Sequence, residues 1–551
     1  MKSVATLLAL AAVAQAGPVK RSASATVTSA AQAATNVGLS VSDLYPPPNT
    51  LPDTTLFPPE SVAGYQQATP TGVEPFAIET AISYPTRKDV YPLTPGEAKN
   101  SSASFDISKY WGNLSPQYSV PSSTYGLDHA TPALPDQCEI TQVHLYFRHG
   151  ARYPTTGAAP STFASKVQNA SIAEGGFSAS GELEFLKSWT YKLGAELLTP
   201  FGRKQNFDFG MYGQLLNNFT EAGALPVFRT QTQDRMVKTM HNFAAGFFGV
   251  PEYLDQVNIE LEVEVLGANA SGAPYEVCPN SNNAKGSVGS TAATKFIQPY
   301  FNVTAERLST LVSGNLSFTY TDVLAMMQLC SYETDALGYS SFCPLFTEEE
   351  FQVYEQYYDI AFMGNNFYGS PVSAAQGKAW VQELVSRLTQ TYLTSDADSA
   401  ANVTLDSNPA TFPLNQSIYA DAAHEVSILD GLSAMGLDAL FNGTLPSATT
   451  LESGVFSASR VVPFGTQVQI QVLECAPSAP TKQIRVIVND AVVPLTYDGC
   501  DSTEFNGLCA YDTVVAGLQK RLDSIDFDWA CNGNYTLPVY GEIVDGLAPS
   551  A

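Results

Sequence analysis

The sequence predicts an α/β protein whose sheet presents its polar groups at the carboxyl ends of the strands. Two observations carry this. Strand-like runs alternate with segments of helical period, and the polar motifs fall where strands end. At 551 residues and 44% apolar, the chain can bury a large core, and no internal repeat appears.

The elements follow in order. Residues 17–104 are rich in Ser, Ala, Thr and Pro, with clusters such as Tyr45-Pro46-Pro47-Pro48, and hold no period. They read as an extended, poorly ordered leader, with Lys20-Arg21 offering a processing site after residue 21. The pattern becomes globular at 105–540. Ile140–Phe147 has strand propensity and runs into Arg148-His149-Gly150. Leu198-Thr199-Pro200-Phe201-Gly202 opens a helix: Thr199 can cap it, and Pro200 suits its first turn. Arg235 opens another, with Met236, Met240, Phe243, Ala244 and Phe247 on one face. Ile418-Tyr419-Ala420 predicts a short strand leading to His424-Glu425. Ile428, Leu429, Leu432 and Met435 then recur at helical spacing, and Gly436 stops the helix.

The N-terminus predicts the compartment. Met1-Lys2, an apolar run from Val4 to Val13 and the small-x-small Ala14-Gln15-Ala16 make residues 1–16 a secretory signal peptide, too short to span a bilayer. No later stretch is apolar enough to cross one, and Asp545–Ala551 lacks the tail of a lipid-anchor signal. The expected location is extracellular, with cell-wall association left open. Eight cysteines agree with an oxidising compartment; spacing alone suggests only Cys330 with Cys343 and Cys500 with Cys509. No CxxC pair suggests a metal. Eleven sequons, at Asn100, Asn113, Asn169, Asn218, Asn269, Asn302, Asn315, Asn402, Asn415, Asn442 and Asn534, predict an exposed surface with N-linked glycans. A net charge of −26 argues against nucleic acid or an anionic membrane as partner and suits an acidic medium.

The chemistry concentrates in Arg148-His149-Gly150-Ala151-Arg152-Tyr153-Pro154. Two guanidiniums whose planar forks match phosphate oxygens flank one imidazole. Their charge disfavours imidazolium, so His149 can act as a neutral nucleophile in mild acid. Gly150 would let the backbone approach the bound group. The competing reading is a basic loop beside a buried histidine. His424-Glu425 alone would read as a helix cap, and no second histidine follows at zinc-protease spacing. His129, His144 and His241 read as structural or surface groups.

RHGARYP, LTPFG, the Arg235 helix and His424-Glu425 together resemble the histidine acid phosphatases, closest to the fungal phytase branch. Ile107-Ser-Lys-Tyr-Trp-Gly112, Val462-Pro463-Phe464-Gly465 and the stretch from Arg485 to Pro494 extend the resemblance over 107–531. It implies a phosphoglycerate mutase-like fold. An α/β core would occupy roughly 105–250 and 400–540, with a smaller helical cap mainly at 280–395. It implies that His149 forms a phosphohistidine, that Arg148, Arg152, Arg235 and His424 bind the phosphoryl group, and that Glu425 is the proton donor, with no cofactor and no metal. Many relatives have Asp after this histidine; Glu adds one methylene. The resemblance also implies the disulfides Cys138–Cys475, Cys278–Cys531, Cys330–Cys343 and Cys500–Cys509.

The expected activity is an acid phosphatase acting on phosphate monoesters. A phytase of the same fold is the runner-up. From another class, an inactive secreted glycoprotein that binds phosphorylated ligands is opposed by the complete set of arginines and histidines. Thr156–Ser161 holds no lysine, Ala361 and Phe362 stand where close phytases have a lysine pair, and Gln328 replaces an acidic residue. These imply a less basic outer pocket and a broader monoesterase.

Overall fold

Six consecutive residues, Val143–Arg148, are buried in one strand, as expected for a sheet covered on both faces. That strand, β1 (Cys138–Arg148), is central in a computed structural model that describes residues 93, 95–102, 104–213, 225–394, 397–476, 480–501, 503–504, 506–542, 544 and 547. The expected signal peptide, the dibasic pair, most of the leader and the Asn218 sequon lie outside the described residues.

The other strands are β2 (Phe177–Ala179), β3 (Val227–Gln231), β4 (Asn258–Glu262), β5 (Val312–Gly314), β6 (Ile418–Ala423), β7 (Gln467–Cys475), β8 (Lys482–Val488), β9 (Ala491–Val493) and β10 (Cys509–Ala510). The longer helices are α1 (Ala159–Ile172), α2 (Pro200–Gly213), α3 (Asp234–Phe248), α4 (Val288–Ser309), α5 (Tyr320–Leu337), α6 (Glu348–Asn366), α7 (Ser373–Thr389), α8 (Glu425–Met435) and α9 (Tyr511–Asp523). The main sheet runs β10-β8-β7-β1-β6-β3-β4, with β9 also on β8. β1, β6, β3 and β4 are parallel neighbours; β7 to β10 form the antiparallel half.

Alternation along β1 sends side chains to opposite faces. Val143, Leu145 and Phe147 meet Met236, Met240, Phe243 and Phe247 of α3, the face that the helical period predicts. Filling that face makes Phe243→Ala cost about 3–5 kcal/mol. On the other face Tyr146 stacks on Trp380 of α7 at 4.0 Å, and His144 stacks on Tyr419 at 4.9 Å. Burial lowers the His144 imidazole to about 3, so it is a neutral packing group.

A second apolar cluster joins α1, α4, α5 and α6 into a helical layer. Reciprocal capping boxes start two of these helices, Thr319 with Asp322 and Thr347 with Glu350. The division along the chain is less simple than two blocks. α1 belongs to the helical layer, whereas α7 packs on the sheet through Trp380. The end of the span read as leader is docked: Ala98 is buried, and Lys99 pairs with Glu182 at 2.8 Å.

All four disulfides pair as the resemblance implies. Cys138–Cys475 joins directly opposed residues of β1 and β7. No helix among the described residues is long and apolar enough to cross a membrane.

Candidate active site

Register places the site. Parallel pairing sets Arg148 beside Ala423, so His149 and His424 leave the sheet together, with ring centroids 5.7 Å apart. His424 is the N-cap of α8 and Glu425 its first residue, which points the positive end of the helix dipole at the same place. Arg235 arrives from the first turn of α3, just beyond the end of β3.

The LTPFG motif clamps the loop after β1. The Thr199 backbone N–H donates to the Ala151 carbonyl at 2.9 Å, and the Thr199 hydroxyl accepts from Gly202 N at 3.0 Å, the predicted cap. Gln205 accepts from Ala151 N at 2.8 Å and donates to the Phe464 carbonyl at 3.1 Å. The two motif glycines meet backbone to backbone: a Cβ on Gly150 would lie 2.1 Å from Gly202 O, and one on Gly202 would lie 1.9 Å from Ala151 O. Gly150 therefore admits helix α2, rather than only a bound group as the sequence suggested.

His149 Nδ1 lies 2.9 Å from the Gly150 carbonyl. A carbonyl can only accept, so Nδ1 carries the proton and Nε2 keeps its lone pair. Nε2 is buried without a hydrogen-bond partner among the described residues, as are Nε of Arg152 and Nε of Arg235. Burial first, then the Arg148 and Arg235 charges, hold the imidazole well below its usual range, although Glu425 opposes this.

Arg148 is fully buried. Its Nη1 donates to the carbonyls of Asn113 and Val462, and the guanidinium lies 4.4 Å from the Phe464 ring centroid. Its Nε and Nη2 both reach Glu425 Oε2 at 3.0 Å. That oxygen is also 3.6 Å from His149 Nε2. Burial would push the Glu425 carboxyl up, but the Arg148 and Arg152 guanidiniums hold it well below the usual carboxylate range. Arg152 donates to the Tyr153 carbonyl at 3.0 Å, and Arg235 pairs with Glu196 at 3.1 Å.

The structure thus brings together all six predicted site residues: Arg148, His149, Arg152, Arg235, His424 and Glu425. It adds two that the sequence reading missed. Glu264 accepts from His424 Nε2 at 3.2 Å, from the Tyr275 hydroxyl at 2.7 Å, and from Gln233. Its sequence signal was the period-two run Glu260, Glu262, Glu264, carboxylates along one face of a strand and its extension. Asn113 is the second: its Nδ2 donates to Glu425 Oε1 at 3.2 Å. It is only 6% exposed, so it leaves the set of expected glycan sites. The sequons at Asn100, Asn169, Asn269, Asn302, Asn315, Asn415, Asn442 and Asn534 are exposed.

His149, His424 and Glu425 offer potential ligand atoms within 4.8 Å of one another. Arg148, Arg152 and Arg235 crowd the same point, and their charges repel a cation while attracting a phosphoryl group. The donor set fits an anion.

A profile of the histidine phosphatase superfamily (branch 2) matches residues 139–489. The chain belongs to this family. The phosphatase is 32% identical over 438 residues to phytase A of Aspergillus oryzae, covering 75% of this chain and 88% of that protein. It is 28% identical over 480 residues to phytase A of Neurospora crassa, covering 76% and 91%. Its fold superposes on the crystal structure of the phytase from D. castellii with a TM-score of 0.63, at 21% identity, over 80% of this chain and 90% of that one. It is a phosphoric monoester hydrolase of the histidine phosphatase type.

Proposed function

We propose that the phosphatase works through a covalent phosphohistidine at His149, with Arg148, Arg152, Arg235 and His424 holding the phosphoryl oxygens and Glu425 handling the proton. The observation that carries this is the unpartnered lone pair of His149 Nε2, its tautomer set by the Gly150 carbonyl, beside unsatisfied arginine donors. In the first step Nε2 attacks phosphorus, the ester P–O bond breaks, and Glu425 gives its proton to the leaving oxygen. In the second, water attacks the phosphohistidine, Glu425 takes a proton from it, the N–P bond breaks and orthophosphate leaves. The negative charge on the phosphoryl oxygens is stabilised by guanidiniums already fixed in place. The Arg148 charge holds Glu425 ionised. A bound phosphate offsets the Arg148 charge, which lets Glu425 take up the proton it must donate.

Small monoesters are the proposed preferred substrates. Ala361 packs against the helical-layer cluster, Phe362 stacks on Tyr358 at 6.4 Å, and Gln328 donates to Tyr358 at 3.0 Å. These positions give the approach to the pocket an aromatic, uncharged character. A second reading, phytase, is favoured by the relatives that carry that name. The signal peptide and sequons support an extracellular, N-glycosylated enzyme. Phosphate release from p-nitrophenyl phosphate and phytate, measured side by side, separates the readings. The expected result is a higher kcat/KM for the small ester and full activity after dialysis against EDTA. A strong preference for phytate would put the second reading first, and metal-restored activity would overturn the mechanism.

A further inference from the structure

We infer that Asn113 is a positioning residue for the proton donor: its side-chain amide holds the Glu425 carboxyl in the line between Arg148 and His149. The inference rests on the reading of Glu425 as donor and goes beyond it to a residue outside every motif that carries the chemistry.

Asn113 touches both halves of the pair. Its carbonyl accepts from Arg148 Nη1, and its Nδ2 donates to Glu425 Oε1 at 3.2 Å, while Oε2 faces Arg148 and His149. The turn that presents it, Gly112–Leu114, is itself fixed. Gly112 N donates to Glu355 Oε2 of α6 at 2.6 Å, and the Trp111 side chain before it is fully buried. A Cβ on Gly112 would lie 2.3 Å from Tyr358, so the turn has no room to move outwards. Glutamate has one more rotatable bond than aspartate, and a donor on a longer arm needs a second anchor. The Asn113 amide supplies it from the opposite wall.

The geometry sets the sign of the pH effect. The groups facing Glu425 are Arg148 from the end of β1, His149 and Arg152 from the loop after it, His424 from its own turn, Tyr332 from α5, and Asn113. The amide stabilises the carboxylate form. Removing it makes Glu425 easier to protonate, so the alkaline limb of kcat moves to higher pH. Losing the anchor also misaims the proton. That matters most when the leaving oxygen is a poor leaving group, as in an alkyl ester, and least for p-nitrophenolate.

The test uses the full-length enzyme. Asn113→Ala should lower kcat for glycerol phosphate by about tenfold or more, with KM little changed and a much smaller loss on p-nitrophenyl phosphate. Its alkaline limb should shift upwards. The reciprocal pair Asn113→Gln with Glu425→Asp moves one methylene across the contact. It should recover most of the kcat that Glu425→Asp alone loses. Peptide mapping of active enzyme should find Asn113 without glycan. Equal losses on both esters, an unshifted limb, strictly multiplicative single and double variants, or a glycan on Asn113 of active enzyme would each overturn the proposal. Glu425→Gln separates the two levels: full activity in that variant sinks the donor reading itself, whereas its inactivity beside a normal Asn113→Ala sinks only the positioning.

Discussion

Two buried charge clusters sit on the same sheet, and they balance their charges differently. At the carboxyl edge, three guanidiniums, Arg148, Arg152 and Arg235, meet three carboxylates, Glu425, Glu264 and Glu196, around two histidines. Further back, Arg229 of β3 meets Glu260 at 2.5 Å, Asp406 at 2.9 Å, Glu383 at 3.1 Å and Glu262 at 3.4 Å. Arg387 of α7 pairs there with Asp421 of β6. Five carboxylates thus share two guanidiniums in a sealed interior. Burial, opposed by Arg229, still raises Glu260 and Asp406 to about 7 and Glu383 well above the usual range. The acid cluster settles its surplus by keeping protons. Guanidiniums cannot shed their charge in that way, and the Nε donors of Arg152 and Arg235, without partners among the described residues, are left for an anion. Charge that protons can neutralise belongs to stability, and charge that they cannot belongs to binding.

Matched substitutions should separate the two regions most strongly. Arg229→Met strands buried carboxylates and should cost on the order of 3–5 kcal/mol, read as loss of soluble protein or a large fall in Tm. Arg152→Met gives up hydrogen bonds to the Tyr153 carbonyl and to Tyr332 and should cost only about 1–2 kcal/mol, a smaller fall in Tm, while kcat/KM falls by about 100-fold or more. Similar Tm losses in both variants would erase the distinction.

A smaller effect follows from the resident protons. Glu260 and Asp406 have folded values near 7, above the roughly 4 of an unfolded chain, so the folded state binds more protons between these limits. The contribution of these two groups to stability is then fully present below about pH 4 and is lost as pH rises through about 7. Tm should fall by on the order of 5 °C or more between pH 5 and pH 8. A Tm that rises over this interval would show that the cluster is not protonated.

The smallest expected effect concerns the approach to the pocket. Ala361→Lys with Phe362→Lys should raise kcat/KM for phytate a few-fold, about 0.5–1 kcal/mol, with p-nitrophenyl phosphate barely changed. The gain is modest because Phe362 gives up its stacking on Tyr358. An equal change on both substrates would remove the charge argument.

The residues that sequence reasoning found share one property: their chemistry is visible within a few neighbours. Arg148, His149 and Arg152 stand together at a strand end, and the α3 face shows its period directly. His424 and Glu425 carry no such local signal and became legible only through the family resemblance. The same holds for Cys138–Cys475 and Cys278–Cys531, which close sequence separations of 337 and 253 residues. Asn113 misled, because a sequon says nothing about burial. Glu264 and the Arg229 cluster were missed for a related reason: the run Glu260, Glu262, Glu264 shows a shared face but not its partners, which come from several separate elements that only the folded chain brings together.

The most direct test of the account is to trap the intermediate. Mixing enzyme with an excess of ³²P-labelled monoester and quenching in alkali within milliseconds should leave label on the protein, stable to base and lost in acid. Peptide mapping should place it on His149, and His149→Ala, folded to the same Tm, should take no label and turn over no substrate. A labelled residue other than His149, or near-normal turnover by His149→Ala, would contradict the assignment of the nucleophile.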